Sequence, residues 1–208
     1  MTTETRHPSK IKLLEAALHV IRSKGYTATR VEELCETAGV TKGSFFHHFK
    51  SKEDLALEAA AYWHEMTDAL FSVADYHRQP TARERLLAYV DLRKALLQGE
   101  LPEYTCLMGT MVQEVYVTDP AIRDACARSI EGHAQTLESD IAAAMREYGI
   151  EGEWTAASLA LHTQAVIQGA FILAKAKGGA EIAASSLDHL RRYLELLFPE
   201  PKVRAQAA

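Results

Sequence analysis

Apolar residues recur at intervals of three and four positions through most of the chain, which is the spacing of one buried face of an α-helix. The most regular stripe lies within residues 119–148 and comprises Cys126, Ile130, His133, Leu137, Ile141, Ala144 and Tyr148. No segment has the pattern of a β-strand. The sequence therefore predicts an all-α protein of about nine helices.

Capping residues and helix breakers indicate where these helices begin and end. Thr81 and Glu84 stand at the spacing of a capping box, Asp119 and Pro120 open a further helix, and Gly149 ends it. Beyond residue 50 the predicted helices span residues 51–76, 80–98, 104–115, 119–148, 154–176 and 182–198. We expect a small domain at residues 1–50 and a larger helical domain at residues 51–208.

Residues 29–54 have the pattern of two short helices joined by a tight turn, with a third helix directly after them. Gly39 supplies the backbone freedom that a sharp turn needs, and Thr41 can cap the helix that follows. Two further pairs stand at capping-box spacing at the starts of the flanking helices: Thr29 with Glu32, and Ser51 with Asp54. This arrangement predicts a helix-turn-helix that binds double-stranded DNA.

The helix after the turn has one apolar face and one polar face. Phe45 and Phe49 lie one turn apart, and we expect them to anchor this helix to a preceding amphipathic helix that carries Ile11, Leu14, Leu18 and Ile21. The polar face then points outward. Together with basic residues nearby, it supplies the candidate DNA contacts Lys10, Thr29, Arg30, Thr41, Lys42, Gly43, Ser44, His47, His48 and Lys52.

The distribution of charge supports the same assignment. Residues 1–52 contain nine Lys or Arg and five Glu, a balance of +4, whereas the whole chain carries −5. The remainder therefore carries −9. A basic N-terminal part on an acidic body can face the DNA phosphates while the body is repelled by them.

The block AGVTKGSFFHHFKSKEDL resembles the DNA-binding signature of the TetR family of bacterial regulators. The resemblance is specific over about residues 9–57 and depends on helix count and length beyond them. It implies a three-helix DNA-binding head and a helical domain that binds an effector and dimerises, most commonly in a repressor. The family usually has tyrosines at the positions of Phe46 and His48. Phe46 cannot donate a hydrogen bond to a phosphate, whereas His48 can.

Two apolar surfaces near the C-terminus suggest a homodimer. The last predicted helix has a leucine stripe, and residues 154–174 contain no Asp, Glu, Lys or Arg. We expect two helices of each subunit to form a four-helix interface through Leu187, Leu190, Leu194 and Leu197, as in the resembled family. Packing of the same stripe inside one subunit is the alternative.

The resemblance also implies an effector cavity within the helical body. Apolar and soft side chains with a few polar groups suit a site for a small, mostly apolar molecule. The candidates are Trp63, Phe71, Cys106, Met108, Met111, His133, Gln164, Gln168 and Phe171. Ordinary core packing is the competing interpretation for each of them.

Cys106 suggests a second kind of effector. It lies just inside a predicted helix N-terminus, where the backbone dipole favours a thiolate. Some members of the resembled family sense electrophiles or oxidants through a cysteine at a similar place, and Lys175 could approach it here. A structural role like that of Cys35 and Cys126 is the alternative.

Other classes of protein find little support in the sequence. Three cysteines without paired spacing do not indicate a disulfide framework, and MTTETRHPSK has no apolar stretch typical of a signal peptide, so we expect a cytoplasmic protein. Residues 154–174 are too polar for a membrane span. We expect no cofactor, no metal and no enzyme, because nucleotide-binding and hydrolase motifs are absent and the adjacent His47 and His48 point apart on a helix. A constitutive DNA-binding protein without a ligand stays open as an alternative.

Overall fold

The computed structural model describes residues 6–200 of the chain. This part contains ten α-helices and a 3₁₀ turn at Asp75–Arg78, with no strand among the described residues. The helices are α1 (Pro8–Lys24), α2 (Val31–Ala38), α3 (Lys42–His48), α4 (Lys52–Ser72), α5 (Ala82–Ala95), α6 (Leu101–Tyr104), α7 (Leu107–Val115), α8 (Pro120–Glu147), α9 (Ala156–Lys177) and α10 (Glu181–Leu197). The predicted all-α class is confirmed, and the four-residue α6 is the helix that the sequence pattern did not separate.

Most helix starts follow the predicted capping signals. The Thr81 hydroxyl accepts a hydrogen bond from the Glu84 N–H at 3.2 Å, and the Thr81 N–H donates to the Glu84 carboxylate at 3.1 Å. The Asp119 carboxylate accepts from the Ile122 N–H at 3.0 Å at the start of α8. Since these bonds join residues three positions apart, sequence spacing is enough to predict them.

The capping box expected at Thr29 and Glu32 is wrong. Helix α2 begins one residue later than that box requires, with Arg30 at the N-cap position and no side-chain capping bond. The buried Thr29 hydroxyl donates instead to the Gly25 carbonyl at 2.7 Å. The spacing of Thr29 and Glu32 suits a capping box, but the Thr29 hydroxyl bonds to the Gly25 carbonyl instead of to the start of α2.

The described residues divide into two compact units. The first comprises the chain up to Ala74 together with Gln98–His133, and the second comprises Asp75–Leu97 and the chain from Ala134 onward. Helix α8 contributes residues to both units. This partition by packing differs from the functional division at residue 50, which stays a prediction.

The core of the first unit forms around α1. Phe45 of α3 and Phe49 directly after it are fully buried in the same apolar cluster as Leu14, Leu18 and Ile21 of α1, so the predicted anchoring of α3 is confirmed. Met108 and Met111 of α7 belong to this cluster too. Because burying one large apolar side chain stabilises a fold by about 1.5–3 kcal/mol, this cluster holds α3 firmly in position.

The second unit has its own core, formed by α5, α9, α10 and the C-terminal part of α8. Leu187, Leu190 and Leu194 are each only 2% exposed within the single chain, and Leu197 is half-buried. Leu187, Leu190 and Leu194 therefore pack inside the subunit, as the alternative interpretation has it, and leave almost no surface for a second subunit. A role for Leu197 in a dimer stays a prediction. An amphipathic pattern shows that a face is buried without showing which partner buries it.

Helix α9 is the one described helix that is long and apolar enough to cross a membrane by length and composition alone. It packs along α10, and the buried Gln164 amide donates to the Tyr89 hydroxyl of α5 at 3.0 Å. The Thr163 hydroxyl donates to the Leu159 carbonyl at 2.9 Å. Polar groups bonded within a packed unit are typical of a core helix, so we interpret α9 as part of the second unit's fold.

Candidate DNA-binding surface and effector site

The turn between α2 and α3 has the geometry that its sequence predicts. Gly39 ends α2 with a φ of 63°, in the left-handed region where a side chain would be strained. The Val40 N–H donates to the Cys35 carbonyl at 2.9 Å, which closes the end of α2. Thr41 then caps α3 by accepting a hydrogen bond from the Ser44 N–H at 3.1 Å. A helix-turn-helix is thus formed by local bonds.

The outer face of α3 is accessible to a partner. Lys42, Gly43, Phe46 and His47 are exposed, as are Thr41 and Arg30 beside them, whereas Ser44 is half-buried. Lys42 forms an ion pair with Glu32 at 2.5 Å, which holds the pKa of that exposed carboxyl below its usual value through the hydrogen bond from Lys42. An exposed pair of this kind is weak, so Lys42 can still turn to a phosphate.

Three of the predicted DNA contacts are engaged inside the unit instead. Lys10 donates to Glu58 at 2.8 Å, and the Thr29 side chain is buried. The Lys52 ammonium donates to the carbonyls of Tyr26 and Thr29, both at 3.1 Å, and its charge lies 4.4 Å from the centre of the Tyr26 ring. Counting basic residues does not reveal such internal acceptors. The role of Lys10, Thr29 and Lys52 as DNA contacts stays a prediction.

The loop between α1 and α2 is held from two sides. Lys52 at the start of α4 binds its carbonyl groups, and Glu114 of α7 binds its N–H groups. The Glu114 carboxylate accepts from the Tyr26 N–H at 3.0 Å and from the Thr27 N–H at 2.8 Å. Gly25 has a φ of 92°, and a Cβ there would collide with this carboxylate. We call these contacts the loop clasp; nothing in the sequence motif indicates it.

A chain of polar groups connects the end of α3 to the start of α1. His48 Nε2 lies 2.6 Å from the Ser9 hydroxyl, which lies 2.8 Å from His7 Nδ1. The His47 ring stacks edge-on against His48 with 4.9 Å between centroids. Partial burial lowers the pKa of His48, and the charges of His47, His7 and Lys10 lower it further, with Glu58 opposing them.

The polar groups His48, Ser9 and His7 predict that DNA affinity depends on pH through the protonation of His48. A phosphate beside His48 would favour the imidazolium and raise the His48 pKa in the complex, so that binding takes up a proton. Affinity should therefore rise as pH falls through the range between the two pKa values, by at most about ten-fold per pH unit for one proton. Titrations of one duplex at several pH values measure this slope. His48→Gln should reduce it, and the exposed His19→Gln should not; equal slopes in all three proteins would contradict the link.

Gly43 has no packing role that explains the absence of a side chain. A Cβ at this position would meet only the Thr41 hydroxyl, at 3.7 Å. Glycine weakens a helix by about 0.5–1 kcal/mol relative to alanine, so a functional advantage would explain why glycine stands here. We propose that the advantage is close approach of the DNA backbone to α3.

Gly43→Ala should consequently raise stability and lower DNA affinity. We expect the free energy of unfolding to increase by up to about 1 kcal/mol, and duplex affinity to fall by roughly ten-fold, the equivalent of about 1.4 kcal/mol. Urea unfolding and duplex titration measure the two effects. Gly132→Ala in α8 is the matched control, because a Cβ there also lacks a close neighbour. A Gly43→Ala protein with unchanged affinity would show that α3 is not approached closely.

The predicted effector residues are divided between the two compact units. Gln164, Gln168 and Phe171 belong to the second unit, and the other six belong to the first. In the first unit Met108 and Met111 are fully buried core residues. His133 and Phe71 form a ring contact, with 4.6 Å between centroids. Five of the nine predicted effector residues are buried, so ordinary core packing is sufficient to explain their positions.

The first unit does contain an open cleft of about 510 Å³ between α4 and α8. Its lining residues are Leu57, Ala60, Ala61, His64, Ala125, Arg128 and Ser129. None of them was among the predicted effector residues. On each helix these residues share one face, but a face of alanines with a single charged residue does not by itself indicate a binding site. The sequence also gives no signal that α4 and α8 face each other here.

Cys106 is the N-cap residue of α7, half-buried, with its Sγ accepting from the Gly109 N–H at 3.4 Å. Its position at a helix N-terminus is as predicted. Close by, Arg22 donates to the Thr105 carbonyl at 3.3 Å and lies over the Trp63 ring, and burial lowers the Arg22 pKa to about 10. Burial raises the pKa of Cys126 to about 12 and also raises that of Cys35. Cys35 and Cys126 are buried, whereas Cys106 is partly accessible.

An exposed helix behind a tight turn is the arrangement of a helix-turn-helix, a motif that is typical of DNA-binding transcriptional regulators. Comparison with protein families supports this class: residues 13–59 match the bacterial regulatory proteins of the tetR family, and residues 82–182 match the C-terminal domain of LmrA/YxaF-like transcriptional regulators. The chain belongs to the TetR family. Members of this family are transcriptional regulators rather than enzymes.

Individual relatives agree. The chain is 34% identical to the HTH-type transcriptional repressor NemR of Escherichia coli over 94 residues, 43% of this chain and 45% of NemR. It is 32% identical to the transcriptional regulator AcuR of Cereibacter sphaeroides over 148 residues, 69% of this chain and 64% of AcuR. These matches span less than two thirds of either relative.

Solved structures show the same fold. The regulator FadR of Bacillus subtilis, solved in complex with stearoyl-CoA, superposes with a TM-score of 0.71 at 17% identity, over 88% of this chain and 96% of FadR. At that identity the likeness concerns the fold alone.

Proposed function

We propose that this regulator is a ligand-responsive repressor that binds operator DNA as a homodimer in the cytoplasm and is released by a small, mostly apolar effector. The observation that carries the proposal is the outer face of α3, which is exposed, polar and held by Phe45 and Phe49. A helix anchored in this way can enter a major groove without reorganising.

An exposed apolar surface on α9 and α10 supports the dimer. Leu161 and Ile172 of α9 are 48% and 47% exposed, and Leu196 of α10 is 80% exposed. The His162 ring contacts Tyr193 across the two helices, with 5.4 Å between centroids, so the two exposed faces adjoin. We call this surface the α9/α10 face. It uses the two helices that the sequence predicted for dimerisation but a different set of side chains, and it would place two heads on successive major grooves.

The loop clasp supports effector control. Lys52 begins α4, Glu114 lies in α7, and both hold the loop that leads into the helix-turn-helix. A molecule that displaced α4 or α7 would therefore reposition the DNA-reading helix. We propose two arrangements of the DNA-reading helix, one that fits the operator and one that does not. Only a molecule that binds one of them more tightly can shift the equilibrium between them. The factor by which the molecule changes DNA affinity must equal the factor by which DNA changes the affinity for the molecule.

Two further observations favour a ligand over constitutive binding. A cleft of about 510 Å³ lies within the usual range for small-molecule sites, whereas a constitutive DNA-binding protein needs none. FadR, which shares the fold, binds stearoyl-CoA in its solved structure. We transfer to this chain only the idea that a small molecule occupies the helical body.

The test is a selection of duplexes from a random pool, followed by a screen for compounds that release the selected duplex. We expect one duplex family to be enriched and some small apolar compounds to release it while raising the thermal stability of the protein. If a duplex is enriched but no compound class raises the stability, constitutive binding is the better account.

A thiol-dependent response is the second candidate, and the half-buried N-cap position of Cys106 near Arg22 favours it. Lys175 lies in the second unit and is not needed for this proposal. Cys106→Ser should abolish release of DNA by an electrophile such as N-ethylmaleimide and preserve release by an unreactive effector. A serine variant that responds to the electrophile as the wild type does would exclude a sensing role for Cys106.

A further inference from the structure

The cleft between α4 and α8 combines an apolar floor with a cationic rim. Leu57, Ala60 and Ala61 of α4 and Ala125 of α8 supply the apolar part, and short side chains at three of these four positions leave the space open. His64, Arg128 and Ser129 supply the polar part. A site built in this way suits a molecule with an apolar body and one polar end.

The charges around the cleft define that polar end. Three carboxylates that adjoin cleft residues in sequence are paired with other cations: Arg6 binds Glu65 through two bonds of 2.6 and 2.7 Å, Lys10 pairs with Glu58 at 2.6 Å, and Arg123 pairs with Asp124 at 2.7 Å. The charge of Arg128 also acts on Asp124. Arg128 remains as the full positive charge that lines the cleft, with His64 on the opposite helix. The cleft therefore offers positive charge to an incoming group.

A carboxylate fits this pair of groups. A guanidinium presents two parallel N–H donors that match the two oxygens of a carboxylate, and an imidazole can donate a further hydrogen bond. The Ser129 hydroxyl is available at the same rim. One guanidinium balances one carboxylate, whereas a phosphate ester at neutral pH would bring more charge than Arg128 alone neutralises.

We propose that the cleft between α4 and α8 binds an amphiphilic monocarboxylate, with its carboxylate on Arg128 and His64 and its apolar chain against Leu57 and the alanines. This inference deepens the proposed function and rests on it for one point, that the occupant acts as the effector. Because α4 carries both Leu57 in the cleft and Lys52 in the loop clasp, an occupant that displaces α4 acts on the same loop.

The test uses octanoate as the probe, with 1-octanol and octyl phosphate as probes of the same chain length. Calorimetric titration of the wild type without DNA should give saturable binding of octanoate, with roughly ten-fold or more weaker binding of each of the other two. Arg128→Gln should lose roughly ten-fold in octanoate affinity and leave octanol binding unchanged. Arg146→Gln is the matched control, since Arg146 is an exposed arginine farther along α8 and changes the net charge equally.

Three results would overturn the inference. The first is the absence of saturable octanoate binding, which would show that the cleft is not a site for this ligand. The second is an equal loss of octanoate affinity in Arg128→Gln and Arg146→Gln, which would indicate a nonspecific charge effect. The third is tighter binding of octyl phosphate than of octanoate, which would contradict the monocarboxylate class. A wild type that binds octanoate without any change in DNA affinity would refute the effector role while the site stands. Failure of the proposed function is separate, since it would appear as absent DNA binding in the same protein without any probe.

A second variant keeps the site testable if Arg128→Gln destabilises the fold. Ala61 is exposed, so Ala61→Trp can fill the cleft without burying new surface in the core. This variant should lose octanoate and octanol binding together. Retention of octanoate binding in Ala61→Trp would place the ligand elsewhere.

Discussion

Leu161→Glu combined with Ile172→Glu is expected to convert the proposed dimer into a folded monomer. Operator affinity should fall by about 10²–10⁴-fold, since the second half-site contact is no longer intramolecular. Both side chains are nearly half exposed in the single chain, so the substitutions leave the subunit core intact. In the dimer they would bury unpaired carboxylates on the α9/α10 face, at a cost of several kcal/mol. Sedimentation velocity and duplex titration measure the two effects.

The matched control is Leu70→Glu combined with Val73→Glu. These residues are 45% and 75% exposed in the first unit, and their replacement adds the same charge at positions that do not belong to the α9/α10 face. The control should sediment as the wild type does. If the α9/α10 variant also stays dimeric, the interface lies elsewhere on the molecule.

Glu114→Gln is expected to loosen the loop clasp and lower operator affinity by roughly ten-fold. The carboxylate now accepts from two N–H groups, and the glutamine amide has only one acceptor oxygen, so the Tyr26 or Thr27 N–H loses its partner. Leaving such a group unpaired costs about 1–3 kcal/mol when it is buried, and less for an N–H that water can reach. Hydrogen exchange at Gly25–Thr29 should become faster, while exchange in α9 should not change.

Glu131→Gln removes the same charge from an exposed position on α8 and serves as the control for Glu114→Gln. It should alter neither the exchange rates of the loop nor operator affinity. A Glu114→Gln protein with faster loop exchange and unchanged affinity would show that the clasp stabilises the loop without positioning the DNA-reading helix.

The parts of the structure that the sequence predicted well are those set by local bonds. Gly39 is in the left-handed region, Thr41 caps α3, and Thr81 forms its box with Glu84, because each of these features joins residues at most a few positions apart. The burial of Phe45 and Phe49 followed from their one-turn spacing opposite the exposed side chains of α3.

Spacing along the sequence did not determine the choice among partners. Leu187, Leu190 and Leu194 form a regular apolar stripe whether a second subunit or α9 covers them, and α9 and α5 cover them in the subunit. Lys52 is a basic residue next to the DNA-binding motif, yet backbone carbonyls hold its ammonium. Such pairings depend on which segments meet in the folded chain, and spacing along the sequence does not determine that.

The candidate functional residues that the sequence did not indicate also depend on which segments meet in the folded chain. Glu114 lies 88 residues from Tyr26 along the chain, and no motif marks it as a partner of the loop. Arg128 and His64 come from helices that are far apart in sequence and line one cleft only in the fold. A charge count finds the basic N-terminal part, but it does not find a single arginine that lines a cleft in the fold.

Duplex affinity as a function of salt concentration tests the central claim most directly. Using a duplex selected from a random pool, the logarithm of the affinity of the full chain should fall linearly with the logarithm of salt concentration. A dimer that makes about 6–10 phosphate contacts should lose about 10³–10⁵ in affinity between about 50 and 200 mM salt. A chain that shows no salt-dependent affinity for any duplex would contradict its assignment as a DNA-binding regulator.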